Sequence, residues 1–237
     1  MWFGTAANFK KLSSEDQRVA IGSSSIEPSS SVRNLGVYLD SQMTMKEHVT
    51  RTARICFHHI RRLWGIRQRL NRETTARLVS ALIISRLDYC NAALSGLSAA
   101  ALQPLQRVMN AAARLVLNLR PRDHITTALR ELQWLPVQQR ILFKTCLLVH
   151  LSLTGRAPSY LSDLLTTVSN LPNRRAALRS ADRGDLYVPA TRLKLGERAF
   201  SVAGPLAWNR LPLELRANVN TASFKRQLKT YLYQSLT

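Results

Sequence analysis

The stretch Met43–Leu70 reads MTMKEHVTRTARICFHHIRRLWGIRQRL. At about 100° per residue, Val49, Ala53, Cys56, Ile60, Leu63 and Trp64 fall on one face of a helix. Arg51, Arg54, His58, Arg62 and Arg69 fall on the opposite face, with only Glu47 to offset them. One helix therefore carries an apolar stripe and a basic stripe nearly back to back. A solvated face and a phosphate-binding face both fit that pattern. The helical period decides the fold class, because the segments that follow repeat it.

Downstream, Asn71 caps a helix opened by Glu73 and Thr74. From Leu78 to Leu94 the chain is apolar nearly all round, which predicts a central buried helix closed by Gly96. Ser98 caps AAALQPLQRVMNAAARLVLNL, whose core stripe runs through Leu102, Leu105, Val108, Met109, Ala112, Leu115 and Val116. ITTALRELQWLP is a shorter helix stopped by Pro136, and VQQRILFKTCLLVHLSLTG is another, ended by Gly155. PSYLSDLL adds a turn or two. The last helix, TASFKRQLKTYLYQSL, turns Phe224, Leu228, Tyr231 and Leu232 inward.

Residues 1–42 follow a different pattern. MWFGT, RVAIG and VRNLGVYLD are short strand-forming runs, separated by turns at Gly22, Pro28 and the serines. A strand that starts at Met1 points to a segment missing upstream. The last third is basic and turn-rich, with two short strand candidates, DLYVP and TRLKL. The expected fold is mainly α: a helical bundle with a small N-terminal β-hairpin and a minor β element near residues 185–196.

Composition narrows the function. The 237 residues hold 34 Lys and Arg against 14 Asp and Glu, a net charge of +20. A globular chain this basic most often works beside a polyanion; a compositionally Arg-rich source is the bland alternative. No apolar run nears the roughly 20 residues of a membrane span, and no signal peptide opens the chain. An intracellular protein of the cytoplasm or nucleus, neither secreted nor in the membrane, is expected. Cys56, Cys90 and Cys146 are odd in number, widely spaced and set in apolar helical surroundings, which predicts buried thiols. His58 and His59 are adjacent, so they make poor co-ligands.

Catalytic signatures are missing. The sequence has no Asp-Asp pair, no GxxxxGK loop and no GxSxG elbow. Within IISRLDYCNAALSGL, Cys90 lies beside Asp88 and Tyr89, but in the most apolar predicted helix and without a histidine partner. Arg86 and Asp88 lie about 200° apart on a helix, so each needs its own mate. A backbone end or an Arg of a neighbouring helix is expected for Asp88. Asn91, three residues on, can share its polar edge.

Five segments then resemble one family in its own order. SVRNLGVYLDSQMTMKEHV, SRLDYCNAALSGL, LQRVMNAAARLV, LQWLPVQQRILFK and RAFSVAGPLAWNRLP are similar to the C-terminal region of reverse transcriptases from LINE-type (non-LTR) retrotransposons. The resemblance covers nearly the whole chain. It implies that residues 1–42 correspond to the last palm strands and primer-grip hairpin, 43–120 to a helical thumb, and 121–237 to a C-terminal extension.

The same resemblance implies a role for the basic helix. A thumb lies along the primer-template duplex and holds phosphates without reading sequence. Arg51, Arg54, Arg62 and Arg69 are the contacts it implies. Leu35, Gly36, Val37 and Tyr38 match the primer grip, where they approach the primer end or simply pack the hairpin onto the thumb. Arg174, Arg175, Arg179 and Arg183 form a second basic cluster, either for template RNA or as a solvated loop. Trp134 and Trp208 either stack on bases or pack the core.

The family's catalytic turn, (Phe/Tyr)-Ala-Asp-Asp, has no counterpart here. A fragment or truncated copy that does not polymerise by itself is expected, with no cofactor, since magnesium would need the palm carboxylates. The implied partners are a primer-template duplex or element RNA, and a palm and fingers supplied in trans. A protein–protein module is the alternative.

Overall fold

The structure is a computed structural model that describes residues 1–13, 18–120, 122–171 and 183–234. Helix makes up 60% of the described residues and strand 7%, so the fold is mainly α. Two antiparallel hairpins precede the helices. Strands β1 (Val19–Ile21) and β2 (Ser24–Ile26) form the first; β3 (Ser31–Asn34) and β4 (Val37–Asp40) form the second. β2 arises from serine-rich sequence expected to be a turn. MWFGT is not a strand: it runs without regular structure into a single helical turn, α1 (Ala6–Phe9), and Gly4 N–H donates to Ser41 O at 3.0 Å.

The second hairpin turns at Leu35 and Gly36, both with positive φ, 45° and 83°. A two-residue turn of that kind matches the right-handed twist of its strands. The strand leads to α2 (Lys46–Ile66), whose start is shaped by one side chain. The Asp40 carboxylate accepts from the backbone N–H of Gln42, Thr44 and Met45, the last two at 2.8 Å, and from the Thr44 hydroxyl. It therefore does the work of an N-cap, which Met45 at that position cannot do.

α2 buries Val49, Ala53, Cys56, Ile60 and Leu63 as the period requires. Trp64, expected among them, is 41% exposed. Its angle puts it at the edge of the stripe, where the helix neighbours no longer reach. α3 (Arg72–Val79) is capped by the Asn71 side chain, and α5 (Ala99–Leu117) by that of Ser98.

The expected single helix from Leu78 to Leu94 is broken. Ser80–Ile84 widens into a π turn, α4 (Ser85–Asp88) is short, and Tyr89 is extended. Cys90 then takes φ 50° and is exposed, against the expectation of a buried thiol. A β-conformation at Tyr89 followed by a left-handed residue cannot continue an α-helix. A short 3₁₀ turn, Asn91–Leu94, follows.

α6 (Ile125–Glu131) and α7 (Val137–Leu153) are joined through Pro136. α8 (Ser159–Ser162), α9 (Phe200–Asn209), α10 (Leu213–Arg216) and α11 (Thr221–Gln234) complete the chain. The β element expected near 185–196 reduces to one bridge, Leu186 with Thr167. The Asn209 side chain satisfies both the N–H and the C=O of Leu186, at 2.9 and 2.8 Å, so no partner strand is needed there. TRLKL forms bends, with Leu193 and Leu195 exposed.

The buried side chains form two clusters. The first joins β4, α2, the π turn, α4, α5 and α6, and takes Val137 and Ile141 from the start of α7. The second gathers the rest of α7 with α9, α10 and α11 around Trp208, Phe224, Leu228 and Leu232. Helix α7 thus runs from one core into the other. Tyr231, expected inward, packs against the second core while partly exposed. Arg198 ties the two halves, donating to the carbonyls of Met43 and Ala93.

Candidate nucleic-acid interface

The basic face of α2 is assembled as its period demands. Arg51, Arg54, His58 and Arg62 are exposed on α2 opposite the buried stripe; Arg69, expected on the same helix, is exposed too but lies past its end, in the 3₁₀ turn Arg67–Arg69. With a rise of about 1.5 Å per residue, Arg51 and Arg62 stand roughly 16 Å apart along the axis. Among the described residues no carboxylate pairs with Arg54, Arg62 or Arg69. Arg51 is different. It pairs with Glu47 at 2.7 Å, one turn earlier, and lies 4.4 Å over the Tyr38 ring. Hydrogen bonds from Ser31 and Arg51 hold the Glu47 carboxyl below its usual pKa.

Tyr38 extends this face onto the hairpin. The Arg33 guanidinium also approaches its ring, at 5.9 Å. The hairpin is docked on α2 by Tyr38 N–H, which donates to His48 Nδ1 at 3.5 Å, and by Val37, which is buried. Burial lowers the His48 pKa, keeping the imidazole neutral as that acceptor needs.

The four residues matched to a primer grip therefore have different settings. Val37 packs into the core, whereas Leu35 at the tip is 84% exposed. Gly36 is pressed against Tyr89: a Cβ there would sit 3.1 Å from its ring. The Tyr89 hydroxyl donates to Leu35 O at 2.6 Å. The turn is thus held by a residue from the middle of IISRLDYCNAALSGL.

That stretch sends its polar groups in three directions. Tyr89 holds the hairpin tip. Asp88 receives both ends of the Arg140 guanidinium from α7, Nε at 2.7 Å, and Asn91 Nδ2 approaches it at 3.4 Å. An Arg of a neighbouring helix is the expected mate. Arg86 finds no carboxylate among the described residues; it is exposed and donates to Leu82 O. It lies beside α2: burial lowers the His59 pKa, and Arg86, His58 and Arg62 lower it further.

Arg86 and Arg33 thus widen the basic face beyond the residues singled out from the sequence. Their strand and helix positions are visible in the sequence, but their placement beside α2 is not. Arg67 of the same run is structural. It donates to Leu115 O at 2.7 Å and Val116 O at 3.0 Å, closing the end of α5. Arg174, Arg175 and Arg179 lie outside the described residues; Arg183 is exposed.

Two of the three thiols are buried. Burial pushes the Cys56 thiol up to about 11 and that of Cys146 up to about 12, so neither is a thiolate nucleophile at neutral pH. Trp208 is in the second core and Trp134 packs, partly exposed, against the first. Among the described residues no group of three His, Cys, Asp or Glu is placed to hold a metal ion. No helix among them is long and apolar enough to cross a membrane. Comparison with protein-family models, with curated proteins and with solved structures finds no match to the chain.

Proposed function

We propose that the chain binds nucleic-acid duplex through the α2 face, in the manner of a thumb and C-terminal extension of a LINE-type reverse transcriptase. Polymerisation is not part of this reading, because the sequence holds no Asp-Asp pair to carry the metals. The observation that carries it is the row of Arg54 and Arg62 on α2, with Arg69 just past its end, none paired with a carboxylate among the described residues, continued by Arg86 and by Arg33 beside Tyr38. Long planar cations on a rigid helix suit backbone phosphates, and nothing in their pattern reads base edges.

The docked hairpin supports the same reading. Its tip presents Leu35 at a position held by Tyr89 and by two positive-φ residues. The test is a salt titration with a primer-template duplex. Affinity is expected to fall linearly with log salt, and replacing Arg54 and Arg62 by Gln lowers the slope by about 0.9 per lost phosphate contact. Salt-insensitive binding, or none at low salt, sinks the reading.

A second reading has one observation in its favour. Every described residue of β1 and β2 is exposed, including Val19, Ile21 and Ile26. An apolar hairpin of that kind fits a protein partner. Replacing Ile21 and Ile26 by Ser, with duplex affinity unchanged and self-association reduced, would favour it.

A further inference from the structure

A second basic surface lies far along the chain from α2, where the two cores meet. A cavity of about 510 Å³ opens between the α6–α7 connection and α7, and reaches Asp88 and Asn91 of the first core. A neighbouring cavity of about 430 Å³ shares Gln133 and Lys229 with it and continues along α11. Together they form one trough across the seam.

Its charge is one-sided. Lys144, Lys229, Arg130, Arg226 and Arg140 line it, and among the described residues Asp88 is its only carboxylate. Arg140 already neutralises Asp88, so four cations are left without an acidic mate among the described residues. Packing alone does not require this. Four like charges around one concavity repel each other.

Aromatic side chains line the trough beside the cations. Trp134 and Phe143 line the first cavity and Tyr233 the second, with Lys229 Nζ 5.9 Å from the Tyr233 ring. Gln133, at the point shared by both cavities, is the left-handed residue that ends α6, with its N–H on Arg130 O at 2.9 Å and that of Trp134 on Leu129 O at 2.8 Å, so the helix end fixes Trp134 at the rim. A cationic groove interleaved with partly exposed rings is how unpaired strands are bound, phosphates on the cations and bases on the rings. Unpaired bases can be splayed out onto such rings, whereas a duplex keeps its bases stacked inside and offers phosphates.

We propose that this trough binds single-stranded nucleic acid, with the backbone on Lys144, Lys229, Arg130 and Arg226 and bases against Trp134 and Phe143. The site shares no residue with the α2 face, so it stands whether or not that face binds duplex.

The test uses the full chain and two labelled probes, a homopolymer of about 12 nucleotides and a blunt duplex, read by fluorescence anisotropy. Lys144→Gln with Lys229→Gln lowers single-strand affinity about tenfold and its salt slope by roughly 1.4, while duplex affinity stays. Arg54→Gln with Arg62→Gln does the reverse. Arg130→Gln with Arg226→Gln, both exposed and away from the cores, repeats the first result if the lysine pair perturbs folding by circular dichroism. The proposal is overturned if the wild-type chain does not bind the homopolymer at low salt. It is overturned equally if the trough variants bind it as wild type does, or lose both probes alike.

Discussion

The two cores are made from the same kind of helix but hold together differently. The first is aliphatic: Val79, Ile83, Val108, Met109, Leu115 and Val116 are fully buried, and no aromatic ring is. Its polar groups sit at its edges as caps, Asp40 on α2, Asn71 on α3, Ser98 and Arg67 on α5. The second core is aromatic. The His150 ring stacks on Phe224 at 4.2 Å, Trp208 stands 5.7 Å from Phe224, and the His150 Nε2 is 3.0 Å from the Thr221 hydroxyl. An aliphatic core follows from helical period within each segment. The aromatic core depends on α7 and α11 being brought together by everything between them.

That contrast can be broken most strongly at Phe224, which has no exposed surface. Phe224→Ala is expected to cost about 3–5 kcal/mol. Hydrogen exchange should show lost protection in α9 and α11 while α2 and α5 stay protected. Equal loss in both cores would mean that they are one cooperative unit.

Asp88→Ala tests the joint between the cores. About 1–3 kcal/mol of stability should go, less than for a fully buried pair, because the Asp88 side chain is 35% exposed. The loss leaves Arg140, 18% exposed, without its mate. Denaturant unfolding is expected to split into two transitions, and a single unshifted one would refute the role.

Asp40→Ala attacks only the edge of the first core. The cap it removes is worth about 0.5–2 kcal/mol, and the β3–β4 hairpin should loosen while the second core is unaffected. Protection of Val37 and Met45 N–H is the readout.

Acid affects both cores, by the smallest amount. Burial lowers the pKa of His48 in the first core; in the second, burial and then Arg156 and Lys225 lower that of His150. Both folded values lie below the unfolded one of about 6.5, so the unfolded chain takes up protons first. Stability therefore falls as pH drops below about 6.5 and levels once the folded pKa values are passed. His150→Phe, which keeps the stack, should flatten that dependence in the second core.

The candidate site was partly legible for the same reason the first core was. Arg51, Arg54 and Arg62 belong to one helix, and their common face follows from 3.6 residues per turn, whereas Arg69 falls in the 3₁₀ turn after it. The hairpin Ser31–Asp40 was expected from the family resemblance, while the residue pattern alone read VRNLGVYLD as one strand-forming run and did not place the turn at Leu35 and Gly36. Cys90 and Trp64 were misplaced because burial depends on what lies opposite. The apolar run Leu78–Leu94 reads as one helix, yet a π turn and a left-handed Cys90 break it so that Tyr89 and Asp88 can face different partners.

The sequence by itself determined what is local: the mainly α class, the caps at Asn71 and Ser98, the two-faced α2 and the strong positive charge. Each depends on residues within a turn or two of each other. The tertiary structure alone decided what is distant. Asp88 meets Arg140 across 52 residues, Tyr89 meets Leu35 across 54, and Arg198 reaches Met43 across 155. The trough likewise draws on α6, α7 and α11, whose cations are unremarkable in their own helices. Periodicity sets which face of a helix is apolar, but only packing sets which other helix that face, or its charges, will meet.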